Sequence, residues 1–157
     1  MAIEQNNERL KRKEMKSTIG EKKCGYVLHQ GDVSSIDKID KLLKMAGGKP
    51  KECELEDYTQ GGKGKAKPEY IITFNDDRHT IIVVECKNTA KKHCSEKKNK
   101  PSGYAVDGVL YYAKFLKKEY NVIAIAISGT TTEHMKVDTF YWGQGQDRYT
   151  ALSKAKD

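Results

Sequence analysis

The chain has 157 residues, room for one domain with a core of its own; 32% of them are charged, and 29 Lys and Arg against 22 Asp and Glu leave a net charge of +7. That balance favours a polyanionic partner, nucleic acid before membrane, and no apolar run approaches the roughly 18 residues a membrane helix needs. Met1 to Asn6 do not read as a signal peptide, so a cytoplasmic protein without membrane attachment is expected.

Residues 1–23 are rich in Lys and Arg, with Ile3, Leu10, Met15 and Ile19 near helical spacing, and read as a basic arm or marginal helix. Tyr26-Val27-Leu28 follows as a short edge strand. Ser34-Ser35 offers an N-cap to a helix over 34–46, in which Ile36, Ile39, Leu42, Leu43 and Ala46 recur at three- and four-residue spacing before Gly47-Gly48 stops it. Its acids Asp37 and Asp40, interleaved with Lys38, Lys41 and Lys44, read as a solvent face, with a contribution to a metal site as the alternative. Residues 49–67, with Gly61, Gly62 and Gly64 among lysines, lack phosphate-loop spacing and read as a flexible basic loop.

Tyr70 to Phe74 and Thr80 to Val84 are apolar runs separated by Asn75-Asp76-Asp77-Arg78-His79, the pattern of a hairpin. The second run continues into Glu85-Cys86-Lys87. Alternation along a strand puts Ile81, Val83, Glu85 and Lys87 on one face and Ile82, Val84 and Cys86 on the other. Both faces are apolar up to Val84, as in a central strand, so a carboxylate and an ammonium at its end need a partner. A divalent cation is one such partner. Glu69, one strand upstream, supplies a second carboxylate, and two carboxylates with a backbone carbonyl and waters suit Mg2+ or Mn2+. Glu-x-Lys also occurs at Glu21-Lys22-Lys23 and Glu96-Lys97-Lys98, but only Glu85/Lys87 closes an apolar strand behind a Pro-acid pair.

Five lysines between Asn88 and Lys100 mark a loop that attracts phosphate or an insertion that does not pack; His93-Cys94 inside it reads as solvated, with a metal site as the lesser alternative. Four cysteines without a C-x-x-C pair give structural zinc little support, and Cys86 reads as core packing with its carbonyl open to a metal. A second helix runs from Ser102 to about Lys118, with Val106, Val109, Leu110, Ala113 and Leu116 toward the core and Tyr104, Asp107, Tyr111, Lys114 and Lys118 on an adjacent stripe. Asn121 to Ser128 reads as a continuous apolar strand buried on both faces, and strand, helix, strand implies parallel pairing. Val137, Phe140, Tyr141 and Trp142 suggest one more edge strand, and 143–157 read as a tail or the start of a linker.

K-P-E-Y-I-I through V-E-C-K resembles the PD-(D/E)xK nuclease superfamily, and in particular the N-terminal endonuclease domain of restriction enzymes that join cleavage and methylation in one polypeptide. Y-A-V-D-G-V-L-Y-Y-A-K-F-L and Y-N-V-I-A-I-A-I-S-G are similar to the same group, so the resemblance spans about Pro68 to Gly129. It departs from the common pattern at Glu69, where Asp is usual. The resemblance implies a restriction-endonuclease-like α/β fold: a mixed sheet of four to five strands flanked by helices, within a core at 24–142. It implies Mg2+-dependent hydrolysis of double-stranded DNA, with Mn2+ as substitute. Glu69, Glu85 and the Cys86 carbonyl would hold the metal, and Lys87 would position water and stabilise charge on the phosphate. Asp107 and Tyr111, similar to the Gln-x-x-x-Tyr motif of restriction translocases, would line the DNA side with Tyr104 and Lys114. Implied partners are an adenine methyltransferase and a target-recognition domain downstream, or a translocase motor, with dimerisation for double-strand cleavage. A non-catalytic nucleic-acid-binding module of the same fold, favoured by Glu69 in place of Asp, and a repair or junction-resolving nuclease are the competing readings.

Overall fold

The computed structural model describes residues 25–31, 33–59, 61–131 and 134–153; the basic arm at 1–23 and the end of the tail lie outside them. The strands are β1 (Tyr26–Gln30), β2 (Tyr70–Phe74), β3 (Thr80–Lys87), β4 (Asn121–Ser128), β5 (Lys136–Trp142) and β6 (Thr150–Ser153), and the helices are α1 (Asp37–Ala46) and α2 (Ala105–Leu116). The six strands form one mixed sheet in the order β1-β2-β3-β4-β5-β6. Pairing is antiparallel throughout except between β3 and β4, where Val84 lies opposite Ile125 and Lys87 opposite Ser128.

The architecture is the expected α/β one, but with six strands where four to five were expected. The addition is β6, which pairs with β5 across a register shift at Thr139/Phe140. The hairpin falls where its turn residues place it, with Asp77 Oδ1 accepting the N–H of His79 at 2.8 Å and of Thr80 at 3.2 Å. The carboxylate satisfies two turn donors that the ladder leaves over.

Helix α1 begins at Asp37, after Ser34-Ser35 rather than on them, and Ile36 precedes it with no side-chain cap. Its first-turn acids Asp37 and Asp40 complement the helix dipole instead. The buried stripe is the predicted one, Ile39, Leu42, Leu43 and Ala46. Helix α2 begins at Ala105, and every residue in it except Lys114 is buried, because the sheet covers one side and α1 the other. A helix apolar nearly all round is one that is covered nearly all round.

Both helices serve one face of the sheet. Ile81, Val83 and Glu85 of β3 and Val122, Ala124, Ala126 and Ser128 of β4 turn toward α2 and are buried. On the opposite face Ile82, Ile123, Ile125 and Ile127 are only half-buried, which corrects the expectation that both faces of β4 are covered. Among the described residues no helix is long and apolar enough to cross a membrane.

The glycine- and lysine-rich loop at 49–67 and the lysine-rich loop at 88–100 are both anchored, against expectation. In the first, Gly62 N–H donates to Gly48 O at 2.7 Å and Ala66 N–H to Leu43 O at 3.0 Å. Gly61 sits so close to the end of α1 that a Cβ there would meet Gly48 O at 2.2 Å and Ala46 O at 2.6 Å, which is why this crossing is made of glycines. In the second, His93, Ser95 and Asn99 are buried despite the surrounding lysines. His93 Nε2–H donates to Asp138 Oδ2 on β5 at 2.7 Å and Nδ1 meets the buried Ser128 hydroxyl on β4. His93 is therefore a clamp between loop and sheet.

Candidate functional site

Glu85 stands near the C-terminal end of β3, on the face that receives α2, and is 4% exposed. A buried carboxylate must be paired. Its partner is Lys49, whose Nζ contacts Glu85 Oε2. The same ammonium lies 5.2 Å from the ring centroid of Tyr112 on α2. Room for the pair comes from Gly108, where a Cβ would sit 3.3 Å from Glu85 Oε2, 3.4 Å from Lys49 Nζ and 2.8 Å from Pro101 O.

The other residues expected here surround that pair. In the β2–β3 register Tyr70 lies opposite Val84, and one further step places Glu69 opposite Glu85. Glu69 is exposed where Glu85 is buried. Cys86, Lys87 and Tyr112 all lie within electrostatic reach of both carboxylates. Burial, then Glu69 and Glu85, pushes the Cys86 thiol up to about 11. Burial and the neighbouring Lys49 hold Lys87 below the ordinary lysine value, with Glu85 and Glu69 acting against them. Lys87 Nζ donates to Ser102 O at 3.1 Å. Tyr112 is kept protonated by burial first and by Glu85 second, and its hydroxyl donates to Lys67 O at 3.1 Å.

Glu69, Glu85, Cys86 and Lys87 thus lie together at one end of the sheet; Asp107, Tyr111 and Lys114 do not line it. Asp107 is fully buried and points into the loop after β3, accepting from Ser95 N–H at 3.1 Å, from Lys100 N–H at 2.9 Å and from the Ser95 hydroxyl. It latches that loop to the first turn of α2. Tyr111 is also fully buried, and its hydroxyl donates to Ala46 O at the end of α1. The expected DNA-facing stripe fails at both positions, because a carboxylate and a phenol with protein partners can turn inward like apolar residues. Tyr104 precedes α2 with Lys92 Nζ 5.0 Å above its ring. Lys114 lies toward the far end of α2, where its ammonium donates to Glu56 O at 2.9 Å and to Leu55 O. It lines a cavity of about 700 Å3 there with Lys117, Trp142, Arg148 and Tyr149.

Asp40 is not a member of the site either: it is buried beside Lys65 and Lys44. Lys49 and Tyr112 are the members that sequence reasoning missed. Only Asp107 and Lys114 are charged in A-V-D-G-V-L-Y-Y-A-K-F-L, and that composition signals a helix buried on all sides, Tyr112 included.

In donor chemistry Glu69 and Glu85 suit a hard divalent cation, and the seat at Glu85 Oε2 already takes a positive charge from Lys49. Among the described residues no group of three or more His, Cys, Asp and Glu side chains gathers around a common point. A site here would draw its other oxygens from backbone and water. Comparison of the chain with protein-family models, with curated proteins and with solved structures gives no match.

Proposed function

We propose that the chain is a Mg2+-dependent endonuclease domain of the restriction-modification kind, hydrolysing phosphodiester bonds in double-stranded DNA. The observation that supports this reading is that Glu69, Glu85 and Lys87 lie at the same end of a central strand, with Glu85 buried, Glu69 one step past the last β2–β3 pair and Lys87 held below the ordinary lysine value. The parallel β3-α2-β4 unit behind them supports it as the scaffold that the sequence resemblance implies. The net charge of +7 supports a polyanionic substrate.

In this reading Glu85 and Glu69 are the metal ligands, with the Cys86 carbonyl beside them. A bound Mg2+ supplies Lewis-acid polarisation of the phosphate and a water of lowered pKa. Lys87 places its ammonium beside the same carboxylates, where it stabilises negative charge developing on the phosphate. Tyr112 and Gly108 close the rear of the pocket against water, which strengthens each of these interactions. Lysines of the loop after β3 hold the duplex backbone. Base recognition and methylation fall to covalently linked or associated domains, since no groove-reading motif is apparent in this chain.

Glu85→Gln and Lys87→Ala are each expected to lower Mg2+-dependent nicking of supercoiled plasmid by about 10²-fold or more. Nicking by Glu85→Gln at the wild-type rate would remove the assignment. A second reading, a non-catalytic nucleic-acid-binding module, is favoured by the Lys49–Glu85 pair, which gives the buried carboxylate a cation from within the chain. It predicts duplex binding with neither nicking nor stabilisation by Mg2+ or Mn2+.

A further inference from the structure

We propose that Lys49 is the resident cation of the site: it competes with a divalent metal ion for Glu85 and, once displaced, faces the DNA phosphate as a second ammonium beside Lys87. This role rests on the metal-dependent reading above and assigns it a residue that neither the Glu-x-Lys motif nor its Pro-acid partner contains.

Lys49 lies in Gly47-Gly48-Lys49-Pro50, just past α1, and its backbone is held on both sides. Gly47 N–H donates to Leu43 O at 3.1 Å, Gly48 O accepts from Gly62 N–H at 2.7 Å, and Pro50 O accepts from Ser102 N–H at 3.2 Å. The Cα is therefore fixed, and only the side chain is free to change direction. That side chain reaches Glu85 Oε2 beneath Gly108 and passes the face of Tyr112, yet keeps 17% of its surface exposed. It has a way out.

The carboxylate oxygen of Glu85 that contacts an ammonium cannot offer the same lone pair to a metal ion. Two cations against one oxygen also repel strongly in a poorly solvated pocket. A metal ion that takes the Oε2 lone pair held by Lys49 therefore moves Lys49 Nζ. Because its Cα is held, the released ammonium stays within one side-chain length of the carboxylates, where with Lys87 it would add positive charge for a phosphate. The exchange also keeps Glu85 paired at every stage, by ammonium or by metal, so its charge is never left buried alone.

The test is Mn2+ binding to the full chain, read from the spin-resonance signal of free Mn2+, for the wild type, Lys49→Met, Lys49→Gln, Lys49→Arg and Glu85→Gln. Removing the competitor should tighten Mn2+ binding about tenfold in Lys49→Met and Lys49→Gln, a size usual for coupling between two ligands. Lys49→Arg, which keeps the cation, should stay close to the wild type, and Glu85→Gln should lose the site. Mn2+ should also raise the melting temperature of Lys49→Gln by more than that of the wild type. Equal or weaker Mn2+ binding in the Met and Gln variants would overturn the role of Lys49 while leaving the metal site standing. No Mn2+ binding by any of the proteins would overturn the metal site and this role together.

Discussion

Gly108 is the position at which the packing around Glu85 can be tested without reference to activity. A glycine inside a helix is ordinarily improved by alanine, by about 0.8–1.0 kcal/mol. At Gly108 the new Cβ would lie 2.8 Å from Pro101 O, closer than such atoms approach one another, and 3.3 Å and 3.4 Å from Glu85 Oε2 and Lys49 Nζ. The carbonyl has little freedom to withdraw, because the adjoining Lys100 N–H is held by Asp107 at 2.9 Å and Ser102 N–H by Pro50 at 3.2 Å. Overpacking of this kind costs about 1–3 kcal/mol, and here it acts on a backbone turn and an ion pair together. Taking the upper part of that range against the helical gain, Gly108→Ala should lose about 1–2 kcal/mol. With a urea m-value of about 2 kcal/mol/M, the far-UV circular dichroism midpoint should fall by roughly 0.5–1 M. A midpoint equal to or above that of the wild type, with m unchanged, would show that α2 does not press on the Glu85–Lys49 pair as described.

Asp107→Ala orphans the Ser95 and Lys100 N–H groups and the Ser95 hydroxyl, and should cost about 3 kcal/mol or more, with amide exchange at residues 95–100 rising well before global unfolding. Unchanged exchange there would mean that the loop is held by other contacts. Asp40 is held below its ordinary value of 3.8 by hydrogen bonds from Lys65 and then Lys44, so its stabilisation is present above that value and lost as pH falls through the depressed one. Asp40→Asn should therefore be less stable than the wild type at pH 7, and the gap should close on acidification below pH 4.

What could be read from the residues was what short-range periodicity controls. The hairpin, the stripe Ile39, Leu42, Leu43 and Ala46, the inward row of α2 and the parallel β3-α2-β4 unit all follow from spacings of two, three or four. The placing of Glu85 and Lys87 beside Glu69 follows from alternation and register alone. What escaped was pairing at a distance. Lys49 and Glu85 are 36 residues apart, and nothing local to Gly47-Gly48-Lys49-Pro50 announces a buried ammonium. The loop after β3 looked unpackable from its lysines, but His93, Ser95 and Asn99 decide its fate through partners on β4, β5, α2 and the segment after α1. Helical spacing and the resemblance to the Gln-x-x-x-Tyr motif put Asp107 and Tyr111 on the DNA side, whereas both turn inward to protein donors and acceptors. Strand β6 has four residues and little alternation, so only the edge of β5 calls it into being.

The Glu85–Lys49 pair itself distinguishes a structural device from a working site. Truncating one partner of a largely buried ion pair costs about 3–5 kcal/mol, less where, as with Lys49 at 17% side-chain exposure, water reaches one end; about 2–3 kcal/mol is expected for Glu85→Leu or Lys49→Met alone. Replacing both with apolar residues of similar size removes the desolvation of two charges along with their attraction, and such exchanges are often neutral or stabilising. The pocket suits the exchange, since Tyr112, Gly108 and the stem of Lys49 already line it. The double variant should therefore unfold within about 1 kcal/mol of the wild type or above it, giving a large favourable coupling in a urea double-mutant cycle. If it does, the pair adds no net stability, as expected where Glu85 is kept for binding rather than for the fold under the proposed function. A double variant that loses as much as the two single changes added together would show that Lys49 and Glu85 do not act as a pair, and the case for a site at this end of the sheet would then rest on Glu69 and Lys87 alone.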